Sequence, residues 1–213
     1  MPAKFHTFQM QPEFTNSVLI ESNGLAAIFD PWGQTDDWIK LLGERGLTLS
    51  AIYCTHGHFD HIMTVPGLVA ATGAPWYMHH ADLPVVKDWS NQILTQMGSA
   101  PVNIEKMPPH PLAHGTINIL PDVMAEVIHL PGHSAGGVGF YFNEMSLLIV
   151  GDTLFQDSYG RTDLITASES QIIESLSAIA ARNFPDDTIV IHGHGPNTTI
   201  KYLRENNPYF KKL

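Results

Sequence analysis

The chain has 213 residues, of which 44% are hydrophobic and only 15% charged. That supplies apolar material for a sizeable core and argues against disorder. Its net charge of −10 repels phosphate backbones, so nucleic acid is excluded as an expected partner. The opening Met1-Pro2-Ala3-Lys4-Phe5-His6 has no charged-then-apolar leader pattern, and no apolar stretch reaches the ~20 residues of a membrane helix. No membrane partner is expected, and a cytoplasmic protein is the expectation.

In chain order, short apolar runs rich in β-branched residues read as strands, and 3- and 4-spaced apolar stripes read as helices. Val18-Leu19-Ile20 and Ala26-Ala27-Ile28-Phe29 are the first strands. Trp38, Ile39, Leu41, Leu42 and Leu47 make a helical stripe behind Asp36-Asp37, good first-turn residues. Ala51-Ile52-Tyr53 is a strand, Val65, Leu68, Val69 and Thr72 mark a helix, and Trp76-Tyr77-Met78 is again a strand. Trp89, Ile93, Leu94 and Met97 form a stripe that either packs into the core or flanks a cleft. Met107-Pro108-Pro109-His110-Pro111 reads as a loop. Strands follow at 126–128, 138–141 and 147–150, then a helix through Ile172, Ile173, Leu176, Ile179 and Ala180 behind Ser168-Glu169. A strand at 188–191 and a short helix at 198–206 close the pattern. With no linker and no repeat, residues 1–213 read as one α/β domain with helices covering sheet faces. Cys54 is the one cysteine, so no intrachain disulfide forms, and its apolar run predicts a buried, unreactive thiol.

The chemistry concentrates at strand ends. Thr55-His56-Gly57-His58-Phe59-Asp60-His61 places three histidines and an aspartate directly after the strand that ends at Cys54. Imidazole and carboxylate are the donors that borderline divalent metals prefer. His133 follows the strand at 126–128, Asp152 follows 147–150, and His192 and His194 follow 188–191. Four strands thus end in metal-type residues beside glycine, on loops held by a rigid sheet. Two cations sharing a carboxylate sit ~3.5–4 Å apart and bring the pKa of a water between them to roughly 7. The hydroxide so formed, bridging the metals, attacks a carbonyl whose oxygen a metal stabilises. A thioester suits this chemistry, because its thiolate leaves with little acid assistance. Asp60 fits either as a ligand or as a base orienting the nucleophile.

The ordered set His56-x-His58-x-Asp60-His61, His133, Asp152 and His194 resembles the metallo-β-lactamase fold superfamily, over nearly the whole chain. Asn16-Ser17-Val18-Leu19-Ile20 and Asp30-Pro31 look like that family's opening strands. The resemblance implies a four-layer αββα sandwich with metals at one edge. Gly151-Asp152-Thr153-Leu154-Phe155, Gly160-Arg161-Thr162-Asp163 and Gly193-His194-Gly195-Pro196 make the chain most similar to the compact bacterial glyoxalase II-like hydrolases. By that resemblance His56, His58 and His133 hold one metal, Asp60, His61 and His194 a second, and Asp152 bridges both. His194 rather than His192 matches the family's Gly-His-Gly-Pro. His79, His80, His110, His114 and His129 are expected to be surface or structural.

The implied function is a binuclear hydrolase of a small-molecule acyl thioester such as S-lactoylglutathione. Two divalent ions are expected, with zinc first and iron or manganese accepted by the same donors. Asp60 and Asp152 are the catalytic candidates. Arg161 either pairs with Asp163 or receives a substrate carboxylate, with Tyr159 beside it in the pocket. Asp30 is expected to support a ligand histidine from behind. Full-length glyoxalase II enzymes bind glutathione with a further basic helical region; here the segment after His194 carries Lys201, Arg204, Lys211 and Lys212. The alternatives are a mononuclear iron persulfide dioxygenase using His56, His133 and Asp152, and a lactonase or β-lactamase. Ser158-Tyr159 stands where the dioxygenases have a cysteine. The sequence leaves the oligomeric state open.

Overall fold

Two six-stranded sheets carry the apolar runs. In the computed structural model, which describes residues 2–10 and 14–210 (backbone alone at Met10), the first sheet runs in chain order. Its strands are β1 (Lys4–Met10), β2 (Thr15–Ser22), β3 (Leu25–Phe29), β4 (Thr48–Tyr53), β5 (Trp76–Met78) and β6 (His110–Pro111). The second holds β7 (Gly115–Leu120), β8 (Val123–His129), β9 (Val138–Phe142), β10 (Leu147–Gly151), β11 (Ile189–His192) and β12 (Thr198–Thr199), again in chain order across the sheet. β3 to β6 pair in parallel, as do β10 and β11, so their carboxyl ends point to one edge.

Strand alternation builds three apolar layers from these sheets. Between the sheets, Val18, Ile20, Phe29 and Tyr53 meet Val127, Phe140, Phe142 and Ile149. Phe29 stacks on Tyr53 at 5.1 Å and meets Phe140 edge-on at 5.0 Å, which joins the two sheets through aromatic contacts. Neighbouring residues point outward: Leu19, Ile28 and Ile52 face α1 (Thr35–Arg45), α3 (Val65–Thr72) and, after the short α4 (Leu83–Val85), α5 (Asn91–Gln96) through Trp38, Leu42, Leu68 and Leu94. Leu148, Val150 and Val190 face α6 (Glu169–Ala180) and α7 (Ile200–Asn206) through Leu176, Ile179, Ile200 and Leu203. The order of layers is therefore helix, sheet, sheet, helix, the expected αββα sandwich. Cys54 is buried and free, as expected.

Several boundaries differ from the sequence reading. The stripe through Leu47 is cut at Arg45, because Gly46 takes the left-handed conformation at φ 64° and caps the helix. Thr198 and Thr199 pair with β11 as a strand, and Thr199 then caps α7 by accepting from the Tyr202 N–H. His110-Pro111, read as loop, pairs with β5 at a sheet edge, where proline is tolerated. Strands β1 and β7 were not anticipated. Lys211 and Lys212 lie outside the described residues. Among the described residues no helix is long and apolar enough to cross a membrane.

Backbone bonds at the carboxyl edge clamp the two sheets together. Val138 N donates to Thr55 O at 2.8 Å and Asn16 N to Gly193 O at 2.7 Å across the sheets, while on the second sheet Gly193 N donates to Gly151 O at 2.8 Å. The loops after β4, β8, β10 and β11 therefore converge on one place.

Candidate metal centre

The loop after β4 supplies His56 and His58, and the one-turn helix α2 (Phe59–Ile62) supplies Asp60 and His61. The loop after β8 supplies His133, the end of β10 Asp152, and the end of β11 His194. Three overlapping groups form, each with ligand atoms within 4.8 Å of one another: His56–His58–His133, His56–His61–Asp152 and Asp60–His61–His194. All seven predicted ligands are thus brought together.

The donor geometry fits a cation better than it fits hydrogen bonding. His58 Nδ1 lies 3.0 Å from His56 Nε2 and 2.8 Å from His133 Nε2. The outer nitrogens of two of these rings are engaged elsewhere: His56 Nδ1 lies 3.0 Å from Thr55 Oγ1, and His133 Nδ1 lies 2.9 Å from the Arg161 carbonyl. Those partners assign the proton to Nδ1 and leave both Nε2 lone pairs facing inward. His61 Nε2 and Asp152 Oδ1 are buried with no hydrogen-bond partner. Such groups are costly unless something satisfies them, and a divalent cation does so.

Asp152 stands between the groups. Its Oδ2 lies 3.4 Å from His133 Nε2 and 3.4 Å from His194 Nε2, and its Oδ1 lies 3.5 Å from His61 Nε2. Asp60 Oδ2 lies 3.3 Å from His61 Nε2 and 3.2 Å from His194 Nε2, and accepts from Thr15 Oγ1 at 3.0 Å. Behind the ligands, Asp30 takes Thr55 N at 2.6 Å and Thr55 Oγ1 at 2.7 Å, and approaches His61 Nδ1 at 3.0 Å. It thereby orients His61 directly and His56 through Thr55, the arrangement expected behind metal-binding imidazoles. Asp30 sits at φ 49°, a left-handed position that aspartate tolerates.

The electrostatics divide the ligands. Burial, reinforced by the neighbouring histidines, pushes His56 well below the usual histidine range. Burial and His133 push His58 down to about 3. Both are neutral near pH 7, the form that binds metal. Burial would lower His61 too, but Asp60, Asp30 and Asp152 outweigh it and raise it well above its ordinary value. His194 is likewise raised to about 10, because hydrogen bonds it donates to Asp152 and Asp60 overcome burial. The same contacts, against the opposing effect of burial, hold Asp152 at about 2 and Asp60 well below the carboxylate range. In the metal-free protein these protons offset clustered negative charge, and a cation takes their place on binding.

Other predicted residues fall outside this cluster. The Arg161 guanidinium is turned to solvent in a two-bond pair with Asp163, both at 2.7 Å, while its backbone carbonyl holds His133. Tyr159 packs edge-on against Tyr209 at 4.6 Å. His192 Nδ1 faces the Leu154 carbonyl at 2.5 Å, and burial brings it down to about 4. His79 stacks on His129 at 4.4 Å, and His80 Nε2 faces the Pro109 carbonyl. The stripe at 89–97 divides. Leu94 enters the core, whereas Trp89, in the π-helical turn Val86–Ser90, packs on His58 at 4.8 Å. A π turn shifts the phase of a helical stripe, and such turns often lie at functional sites. The sequence reading missed Thr15, Thr55 and Asp82; the last is a buried acid bonded to the loops of His56–His58 and His133.

Comparison with known proteins agrees with this geometry. The sequence profile of the Metallo-beta-lactamase superfamily matches residues 10–194. A probable metallo-hydrolase, YqgX of Bacillus subtilis, is 32% identical over 211 residues, covering 97% of each chain. Hydroxyacylglutathione hydrolase GloC of Haemophilus influenzae is 33% identical over 198 residues, covering 91% of each. Among solved structures, the BLEG-1 B3 metallo-beta-lactamase superposes with a TM-score of 0.86 at 32% identity, over 97% of this chain and 99% of that one. TTHA1623 in a di-iron-bound form gives 0.84 at 33% identity, over 96% and 99%. On a matching profile, matching full-length relatives and a matching fold, the chain belongs to the metallo-β-lactamase superfamily.

Proposed function

We propose that this centre holds two divalent cations, zinc first among them, and that the protein hydrolyses an acyl thioester of the hydroxyacylglutathione class. The observation that carries this reading is the position of Asp152, whose Oδ2 lies 3.4 Å from both His133 of one group and His194 of the other, with Oδ1 3.5 Å from His61. In this reading His56, His58 and His133 hold one ion, Asp60, His61 and His194 the other, and Asp152 lies between them. When bound, the cations supply Lewis acidity and lower the pKa of a water to roughly 7.

The chain's own residues set the stage for that chemistry. Thr15 and the two neighbouring imidazoles hold the Asp60 carboxylate ionised and oriented as a ligand. Thr55 and the Arg161 carbonyl fix the inward lone pairs of His56 and His133. Trp89 and Phe59, 5.9 Å apart, form an aromatic wall beside His58. Beside His194 a cavity of about 330 Å³ is lined by Phe155, Gln156, Ser158 and His194, room for the acyl or thiol portion of a substrate. In this reading Arg161 receives a substrate carboxylate that competes with Asp163 for its guanidinium, and Tyr159 lies on the same loop.

The 33% identity to GloC supports the substrate class, and the di-iron form of TTHA1623 supports a two-ion centre. A single-iron dioxygenase would use His56, His133 and Asp152 and leave the convergent Asp60–His61–His194 group without a role.

The test is metal content of protein purified without added metal, with S-lactoylglutathione hydrolysis and O₂ uptake with glutathione persulfide measured on the same sample. Two ions per chain and hydrolysis that disappears in Asp152→Ala are the expected results. One iron per chain with O₂ uptake would overturn the reading. Two ions without hydrolysis would remove the substrate class.

A further inference from the structure

Asp82 belongs to none of the ligand groups, yet it is fully buried beside one of them. It ends the 3-10 turn His80–Asp82. Its Oδ2 accepts from Gly57 N at 2.8 Å and from Ser134 Oγ at 2.7 Å, and its Oδ1 accepts from Gly136 N at 2.6 Å. Gly57 stands between His56 and His58, and Ser134 directly follows His133. One carboxylate therefore ties the loop leaving β4 in the first sheet to the loop leaving β8 in the second.

The approach is close on both sides. A Cβ on Gly57 would lie 3.0 Å from Asp82 Cβ, and one on Gly136 would lie 2.7 Å from Asp82 Cγ. The carboxylate reaches both loops because neither position carries a side chain. Burying an acid is costly unless its oxygens are satisfied, and here three donors from the two histidine loops satisfy them. The rings that most need this registration are His58 and His133, which come from different sheets and meet at 2.8 Å.

We propose that Asp82 is a positioning residue for the three-histidine group, holding His58 and His133 in register before a metal arrives. This rests on the reading of His56, His58 and His133 as metal ligands. Small displacements of such ligands are expensive, and loss of an outer orienting partner typically costs roughly 10–100-fold in metal affinity.

The experiment is a Co²⁺ titration followed by visible absorption in a His194→Ala background, where the three-histidine group remains whole. Asp82→Asn is expected to weaken Co²⁺ binding by roughly 10–100-fold and to change the absorption bands. Ser134→Ala, which keeps the carboxylate and deletes one donor, is expected to weaken it by about 5-fold. Leu203→Ala, at a buried residue of α7 on the outer face of the second sheet, controls for general destabilisation. It lowers the unfolding temperature and leaves Co²⁺ affinity within about twofold. Asp82→Asn with the parent's affinity and spectrum would overturn the inference. Should Asp82→Asn fail to fold, Ser134→Ala decides on the same criterion. If His133→Ala binds Co²⁺ as the parent does, the ligand assignment itself falls and this inference with it.

Discussion

Gly193 and Gly160 lie against the ligands they neighbour. A Cβ on Gly193 would fall 1.8 Å from Asp152 Oδ1 and 2.9 Å from His61 Cε1; one on Gly160 would fall 1.9 Å from the Asp152 carbonyl and 2.9 Å from His133 Nδ1. Gly193→Ala is therefore expected to push Asp152 out of its place between the two groups. The protein should lose at least one metal equivalent and roughly 100-fold in kcat while keeping its circular dichroism spectrum; metal analysis and steady-state kinetics check this. Cys54 makes a second prediction at this scale. It is wholly buried, and burial beside Asp30 raises its thiol well above the usual range. A thiol reagent at neutral pH should leave the native protein untouched and take one equivalent after denaturation. The candidate ligands were legible in the sequence because metal chemistry restricts such donors to a few residue types, here clustered at strand ends. Asp30 was legible beside them as an outer partner. Thr15 and Asp82 were not: Thr15 meets Asp60 across 45 residues, and Asp82 meets Ser134 across 52. A threonine or aspartate in a polar stretch gives no local sign of such a partner.

The helices follow local rules more closely than the strands do. In α6 the predicted stripe is buried at Ile172, Leu176 and Ile179, while Ile173 faces solvent, and Ser168 caps the start by accepting from Gln171 N. Leu176 is fully buried against the outer face of the second sheet. Leu176→Ala should lower stability by about 2–5 kcal/mol, read from denaturant unfolding, with metal content unchanged in the folded fraction. An effect below about 1 kcal/mol would mean that α6 is not held by this layer. β1 and β7 escaped the reading because polar residues interrupt them, Lys4, His6 and Thr7 in one and Thr116 and Asn118 in the other. Both are edge strands, where one side of the strand lacks a partner and the apolar requirement relaxes. The two-residue β12 is recognisable only once β11 lies beside it.

Across the whole molecule, two independently covered sheets meet at one edge, and the centre draws ligands from both. Without metal that edge gathers the Asp30, Asp60 and Asp152 carboxylates in a buried space. Removal of metal by a chelator should lower the unfolding temperature, and added Zn²⁺ should restore it. Metal at 100–1,000 times its Kd contributes about 3–4 kcal/mol, several degrees for a chain of this size. An unfolding temperature indifferent to chelation, on protein shown by analysis to have lost its metal, would contradict a centre that links the sheets. The sequence by itself determined the α/β class and the seven candidate ligands, since periodicity and donor type are properties of short segments, and the order of its motifs gave the family by resemblance. Tertiary structure alone decided that the Arg161 carbonyl holds His133 and that Asp82 joins the two histidine loops. Each of these depends on distances between segments remote in the chain, which only the packing of one sheet on the other sets.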